Sequence, residues 1–339
     1  MNQLTKDIRE IISDPIIPWE MLRDKTILVT GATGLLGSLI IKSLSEIKRT
    51  LKINLEVIGM TRDPERARSL FIGGNEEILF MTMDEVVSSQ FFDYVIHTAS
   101  PTSSAFFVSH PVEVIHSIYF DLYRLLNFCK GRQLKSFVQL SSLEVYGNLN
   151  SQRVVEYTEG QLDSFSLRSS YPEAKRIGET LCKAFFEEYS LPCKVVRLTQ
   201  CFGAGVDLKQ DQRVFAEFTK NALEGSPIVL HTKGETSRSY VYTADAVRAI
   251  FLVLLRGQAG EVYNVANPQN YCSILELAQL ISKIFNTKIE YSYDSLLQKK
   301  YSAVHKINLD ISKIEQLGWT PFVSLQDSVL RMLKSHIEK

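Results

Sequence analysis

The sequence lacks an excess of charge of either sign: 38 Lys and Arg residues stand against 38 Asp and Glu in 339, a formal net charge of zero at pH 7. A neutral chain has no long-range field to draw in a phosphodiester backbone or an anionic lipid surface, so neither nucleic acid nor membrane is expected as a partner. Any anion it binds must be held by local geometry. Cysteine is scarce too. The five, Cys129, Cys182, Cys193, Cys201 and Cys272, are odd in number and form no C-x-x-C pair. Free thiols in a reducing compartment follow, and a chain of this length needs neither disulfides nor a metal to fold. His97, His110, His116, His231 and His305 show no metal-ligand or triad spacing and read as structural residues. Long hydrophobic runs are missing: the longest, around Ala249–Leu255, is far too short to span a bilayer. The opening MNQLTKDIREIISDPIIPWEMLRD mixes charges through its apolar residues, unlike a signal peptide. A cytoplasmic protein is expected.

What is present is the composition of a globular chain, 45% hydrophobic and 22% charged. Runs rich in β-branched residues alternate with segments of helical period, the pattern of parallel βαβ units. Thr26–Thr30, Leu55–Met60, Asp93–His97, Ser136–Leu140 and Lys194–Leu198 are the five expected strands of a doubly wound sheet, with helices near 111–130 and 172–190. Beyond about residue 203 the pieces shorten to a helix near 213–224, a strand at Pro227–Leu230, a helix near 243–256 and a last group from 273. Residues 1–24 read as an N-terminal extension whose short amphipathic helix packs on the domain edge.

The turn Thr30-Gly31-Ala32-Thr33-Gly34-Leu35-Leu36-Gly37 follows the first strand and opens a helix. Glycines there permit a tight turn and let backbone N–H groups approach a pyrophosphate at the positive helix end, which is how a neutral protein can hold a doubly charged linkage. Gly31, Thr33, Gly34, Leu35 and Gly37 are therefore candidate cofactor contacts. An NAD site usually has an acid at the end of the second strand; here Gly59-Met60-Thr61-Arg62-Asp63 offers Arg62 first. A guanidinium there suits the 2′-phosphate of NADP, so NADP(H) is favoured over NAD(H), with Asp63 in the acidic role as the competing reading.

Tyr171 and Lys175 lie four residues apart in SSYPEAKRIGE, on one face of a helix that Ser169 or Ser170 can cap and Pro172 can start. A free phenol titrates at about 10. A cation about 4 Å away, at an effective dielectric of about 20, is worth roughly 4 kcal/mol, enough to bring it near 7 and make Tyr171 a general acid/base. The fourth expected strand runs into Leu140-Ser141-Ser142-Leu143-Glu144-Val145-Tyr146-Gly147. Ser142 thus sits at a strand carboxyl end, where open α/β sheets bind their ligands.

Together, Gly31–Gly37, Ser142-x-x-x-Tyr146-Gly147, the Tyr171/Lys175 pair, Arg197–Gly203, Arg238-Ser239-Tyr240-Val241 with Asp245 and Leu317-Gly318-Trp319-x-Pro321 resemble the extended short-chain dehydrogenase/reductase family. The resemblance is to its NAD(P)-dependent nucleotide-sugar epimerases, dehydratases, decarboxylases and reductases, and it runs from Lys25 over nearly the whole chain. It implies a doubly wound parallel Rossmann sheet with a smaller α/β substrate-binding cap: a dinucleotide-binding domain at 25–203 and a nucleotide-sugar-binding cap at 204–339, interleaved with the sheet near 240–265. It implies Ser142, Tyr171 and Lys175 as the catalytic set, with Lys175 also holding the nicotinamide ribose. Arg238 meets the sugar diphosphate, with Arg213 and Gln200 as further substrate candidates and Glu144 as an orienting or acid/base residue. Homodimers through the helices near 111–130 and 172–190 are expected.

Members of the family share hydride transfer at sugar C4. Its 4,6-dehydratases carry an Asp-Glu pair where this chain has Leu143-Glu144, and a leucine cannot donate a proton. Its decarboxylases match Glu144 and Arg238 but usually have a small hydroxyl residue at Leu143. Arg62-Asp63-Pro64 and His97-Thr98-Ala99-Ser100-Pro101 look like flavonol-type reductases. The expectation is reduction of a nucleotide-activated 4-keto-6-deoxyhexose, such as dTDP-4-dehydro-6-deoxyglucose, for surface polysaccharide precursors. The alternative is a UDP-glucuronate decarboxylase or a 4-epimerase with tightly bound NAD.

Overall fold

The computed structural model describes residues 1–71, 78–88, 92–292 and 304–338. In chain order, helix α1 (Gln3–Ile12) precedes strand β1 (Lys25–Thr30), followed by α2 (Leu35–Leu51), β2 (Leu55–Met60), α3 (Pro64–Leu70), β3 (Ile78–Met81), α4 (Met83–Ser88) and β4 (Tyr94–His97). Next come α5 (Ser104–Ser109), α6 (Pro111–Cys129), β5 (Ser136–Ser142), β6 (Asn150–Val154), α7 (Ser170–Tyr189), β7 (Cys193–Leu198) and β8 (Gln200–Phe202). The remainder holds α8 (Val214–Leu223), β9 (Ile228–Leu230), β10 (Ser237–Tyr242), α9 (Thr243–Arg256), β11 (Val262–Val265), β12 (Asn267–Ser273), α10 (Ile274–Phe285), β13 (Ile289–Tyr291) and β14 (Lys306–Leu309).

A seven-stranded sheet has the order β11-β7-β5-β4-β1-β2-β3, and every pairing in it is parallel. The five strands legible in the sequence are its centre. Two four-residue edge strands complete it: β3, and β11, which returns only after the excursion through β8–α9. From β1 the chain builds outward through β2 and β3, then crosses to β4 on the other side. The order reverses between β1 and β4, and the crevice outside their carboxyl ends is where such sheets bind ligands.

Helices cover both faces. Leu39, Ile40, Leu44 and Ile47 of α2 are buried with α1 and α9 on one face, while Leu122, Leu125 and Leu126 of α6 and Cys182 and Phe185 of α7 are buried on the other. Helix α9 is buried on every side except Arg256, as expected of a helix apolar all round. A second sheet, β12-β10-β14-β6 with β8 paired to β10, and a two-stranded sheet β13-β9 are built mostly from the later part of the chain. Phe215, Phe218, Leu277 and Ile281 pack a separate core there, and α10 opens on a reciprocal Ser273/Glu276 capping box.

The N-terminal segment is tied in by buried charge. Asp7 accepts from Tyr242 Oη at 2.6 Å and from Gln3 Nε2 at 2.8 Å, and Arg331 lies 3.3 Å from it. Asp14 accepts from Arg248 Nε at 2.5 Å, and Arg248 Nη1 also reaches Asp245 at 3.0 Å. Among the described residues no helix is long and apolar enough to cross a membrane.

Candidate active site

The glycine turn packs backbone against backbone. Gly31 has φ +65°, and a Cβ there would stand 2.8 Å from Thr98 Oγ1 and 2.9 Å from Ala99 N. A Cβ on Gly37 would stand 2.2 Å from the Gly31 carbonyl oxygen. The ends of β1 and β4 are themselves stitched together, Thr98 Oγ1 donating to Thr30 O at 2.6 Å and Ala99 N to Thr30 Oγ1 at 3.1 Å. Gly34 caps α2 without a side-chain hydrogen bond, and the amides of Leu35, Leu36 and Gly37 have no acceptor within the helix. Thr33 and Gly34 are exposed at the turn. Free first-turn amides at a positive helix end, in a cradle that any side chain would fill, fit the pyrophosphate of a dinucleotide.

At the end of β2 the two charged residues have different work. Asp63 Oδ1 accepts from Arg66 N at 3.0 Å and caps α3. Arg62 is exposed, and with His116 and Arg124 it opposes the rise that burial imposes on the Asp121 carboxyl.

Ser142, the last residue of β5, accepts from Glu144 N at 3.2 Å and lies close enough to Tyr171 to favour its ionised form. Tyr171 lies in the first turn of α7, its ring stacked on Phe107 at 4.2 Å and 6°. Lys175, one turn on, is 3% exposed; its Nζ donates to the Leu140 carbonyl at 2.8 Å and stands 5.8 Å from the Tyr171 ring centroid. The expected lowering of the phenol by this lysine is not found. Burial, with the Glu144 carboxylate adding to it, raises Tyr171 above the usual tyrosine range; the Ser142 hydroxyl and the Arg168 and Arg213 charges oppose the rise. The spacing fixes both residues on one face, but the lysine chain is drawn to a strand carbonyl that no local pattern reveals. Burial brings Lys175 itself down to about 8, with Glu179 opposing. Nearby, His97 is buried, bonded through Nδ1 to Thr30 Oγ1 at 2.9 Å, and held neutral by burial and by Lys175, which bring it to about 3.

Glu144 lies in the short turn Leu143–Tyr146 and pairs with Arg168 Nη2 at 2.8 Å. Arg238 on β10 donates to Gln200 Oε1 at 3.4 Å, a contact set by the parallel register Tyr240↔Gln200 of β10 and β8. Arg213 is held within the protein: Asp211 grips it through Nε at 3.0 Å and Nη2 at 2.5 Å, and Nη1 donates to Cys201 O at 3.0 Å. Its field still reaches Tyr171. The structure thus gathers Ser142, Glu144, Tyr171, Lys175, Gln200, Arg213 and Arg238 into one region, while Arg62 stays at the outer end of the cradle. It adds residues the sequence did not single out. His305, read as structural, lies in the fields of Arg238, Glu144 and Arg168, lowered by burial and by the two arginines. Arg168 and Phe107 flank Tyr171, and the one available signal was the place of Arg168 three residues before Tyr171.

A glycine turn at the switch point of a doubly wound sheet, followed by a tyrosine and a lysine on the helix after β5, defines the extended short-chain dehydrogenase/reductase class, a nicotinamide-dependent one. Within it the chain belongs to the NAD dependent epimerase/dehydratase family, whose sequence profile matches residues 27–266. It is 27% identical over 309 residues to UDP-glucuronic acid decarboxylase 1 of Xenopus tropicalis, covering 90% of this chain and 70% of that one. It is 26% identical to UDP-glucuronic acid decarboxylase 6 of Arabidopsis thaliana, over 89% and 86% of the two chains. Among solved structures, UDP-glucose 4-epimerase of Thermotoga maritima, with UDP-glucose, superposes with a TM-score of 0.78 at 25% identity, covering 92% of this chain and 99% of that one. The dTDP-glucose 4,6-dehydratase of Streptomyces venezuelae, with NAD bound, shares the fold at a TM-score of 0.79 and 22% identity, covering 93% and 97%.

Proposed function

We propose that this protein oxidises UDP-glucuronate, or a closely similar nucleoside diphosphate hexuronate, at C4 and decarboxylates the 4-keto sugar with a retained NAD. The observation that carries this reading is Glu144: it reaches the Tyr171 region together with Arg238, while its neighbour Leu143 is buried and supplies no second acid. The two decarboxylases similar over most of the chain support it. Net reduction of a 4-keto-6-deoxyhexose, expected from the sequence, has no such support.

Ser142 holds the C4 oxygen, and Tyr171 Oη, after releasing its own proton to solvent under the positive charge that a bound oxidised nicotinamide would bring beside it, takes the C4 hydroxyl proton. A bound oxidised nicotinamide supplies the acceptor for the C4 hydrogen and a positive charge. Once C4 is a ketone, the C6 carboxylate is β to it. The C5–C6 bond breaks, its electron pair passes to C5 and onto the C4 oxygen, carbon dioxide leaves, and C5 takes a proton. Return of the C4 hydrogen and of the Tyr171 proton gives the pentose. Arg238 binds the diphosphate, with Gln200 orienting it, Arg213 stays paired with Asp211 beside the site, and Lys175 binds the nicotinamide ribose.

One observation favours a second reading: with Asp63 committed to a helix cap, exposed Arg62 is the charged group left for the adenine ribose, which suits exchangeable NADP(H) and a net reductase. Denaturing the purified protein and identifying the released nucleotide separates the two. Retained NAD with carbon dioxide release from UDP-glucuronate is expected; NADPH consumption with a dTDP-4-keto-6-deoxyhexose and no carbon dioxide would overturn the decarboxylase. Tyr171→Phe should abolish turnover without loss of bound cofactor.

The quaternary state belongs to the same proposal. Helices α6 and α7 lie side by side and expose Val112, Ile115, Tyr119 and Tyr123 of the first and Ile177 of the second. A contiguous apolar face of this kind suits a second copy of the chain.

A further inference from the structure

Resting on the hexuronate reading, we propose that Arg168 is the receptor for the sugar carboxylate and that Glu144 occupies it in the free protein, so that substrate and Glu144 compete for one guanidinium. Arg168 sits on the short turn Leu167–Ser169 that leads into α7. Its guanidinium lies 5.3 Å from the Phe107 ring centroid, and Phe107 is stacked on Tyr171. Two ring contacts therefore set the position of this cation relative to the reacting phenol.

The grip on Glu144 is partial. A single nitrogen, Nη2, serves both carboxylate oxygens, at 2.8 and 3.1 Å; Nε and Nη1 make no hydrogen bond among the described residues. An incoming carboxylate can take the guanidinium through two nitrogens, the stronger arrangement. The pair is also within reach of a ligand, its side chains 32% and 28% exposed, and pairs so placed are weak enough to exchange. Arg213 is committed to Asp211, and Arg238 is taken up by the diphosphate in the proposed complex. Arg168 is then the cation left near Tyr171 for a third anionic centre.

Exchange couples binding to the reaction. A carboxylate on Arg168 releases Glu144 to accept a hydrogen bond from a sugar hydroxyl. When the C5–C6 bond breaks and carbon dioxide departs, the pentose has nothing to offer Arg168, Glu144 returns, and product is released. A neutral hexose cannot displace Glu144, which gives selection for hexuronates without an added pocket.

The test is calorimetric binding of UDP-glucuronate, UDP-glucose and UDP-xylose to the holoenzyme and two variants. Arg168→Gln should weaken UDP-glucuronate on the order of ten- to a hundredfold and leave UDP-glucose and UDP-xylose unchanged, with an unaltered melting temperature. Glu144→Gln removes the competitor and should tighten UDP-glucuronate selectively, up to about fivefold, while slowing turnover. A structural role for the pair would not produce that tightening. Equal weakening of all three ligands by Arg168→Gln, or an unchanged UDP-glucuronate preference in Glu144→Gln, would overturn the exchange. Carbon dioxide release by the wild type tests the reaction separately. Selective binding lost in Arg168→Gln without any carbon dioxide release would remove the decarboxylase and keep the carboxylate site.

Discussion

Lys175, 3% exposed and titrating near 8 instead of 10.5, keeps its charge at neutral pH against a penalty on the order of 3 kcal/mol. Between about pH 8 and 10.5 the unfolded chain binds a proton at this site that the folded chain does not, so the lysine's contribution to stability rises with pH across that window and is least favourable below it. Lys175→Met should therefore abolish turnover and yet stabilise the fold at pH 7 by at least about 1 kcal/mol, after allowance for the bond lost to Leu140. Denaturant titrations of both proteins should show that advantage shrinking between pH 8 and 10. A gap that widened with pH would contradict the burial argument. The residue types of this site were legible from spacing alone, since four residues on a helix share a face whatever surrounds them. Their partners were not: the Leu140 carbonyl, Phe107 and His305 arrive from a strand, from α5 and from the segment before β14, and nothing local to SSYPEAK points at them.

Among the elements, the β1–α2 junction has the least tolerance. Gly37→Ala places a methyl 2.2 Å from the Gly31 carbonyl oxygen, so α2 must shift and its first-turn amides with it. Cofactor affinity, followed by the NAD-dependent rise in melting temperature, should fall on the order of a hundredfold, while Gly131→Ala, strained at φ +73° but with nothing within 4 Å, should lower the melting temperature and leave its NAD-dependent rise unchanged. The junction was readable because its signal is local: glycines at fixed offsets between a strand and a helix. The flanking strands were harder. Central strands buried on both faces read as continuous apolar runs, whereas β3 and β11 are four residues long and draw their identity from the neighbour they pair with. Neither shows in a window of sequence.

For the whole molecule, burial of charge joins the N-terminal segment to the body. Arg248 and Asp14, 9% and 5% exposed, meet across 234 residues of chain. Asp14→Ala leaves the guanidinium short of a buried partner, and the urea midpoint should drop by the equivalent of about 3 kcal/mol, with no change in cofactor identity. The assembly has its own expected outcome: light scattering at twice the chain mass for the wild type, and at the chain mass for Ile115→Glu with Tyr119→Glu, since two buried carboxylates in an apolar interface are prohibitive. A wild type that elutes as a monomer at micromolar concentration would remove the dimer.

Arg238 and the Glu144–Arg168 pair stand on very different supports. Arg238 is carried by β10, which runs without a break into α9, the helix buried on all but one residue. Glu144 and Arg168 are carried by two short turns, with fully exposed Phe165 and largely exposed Leu167 beside the second. Descendants of such a chain can change sugar acceptance at Glu144, Arg168 and the exposed residues beside Arg168 at little risk to folding, whereas any substitution that moves β10 disturbs the centre of the molecule. In the proposed complex nucleotide and sugar are thus separate mutational targets, and a library confined to Glu144 and 165–168, which leaves buried Leu143, Val145, Tyr146 and Ser169 untouched, should yield folded proteins with altered sugar preference far more often than one directed at 237–242.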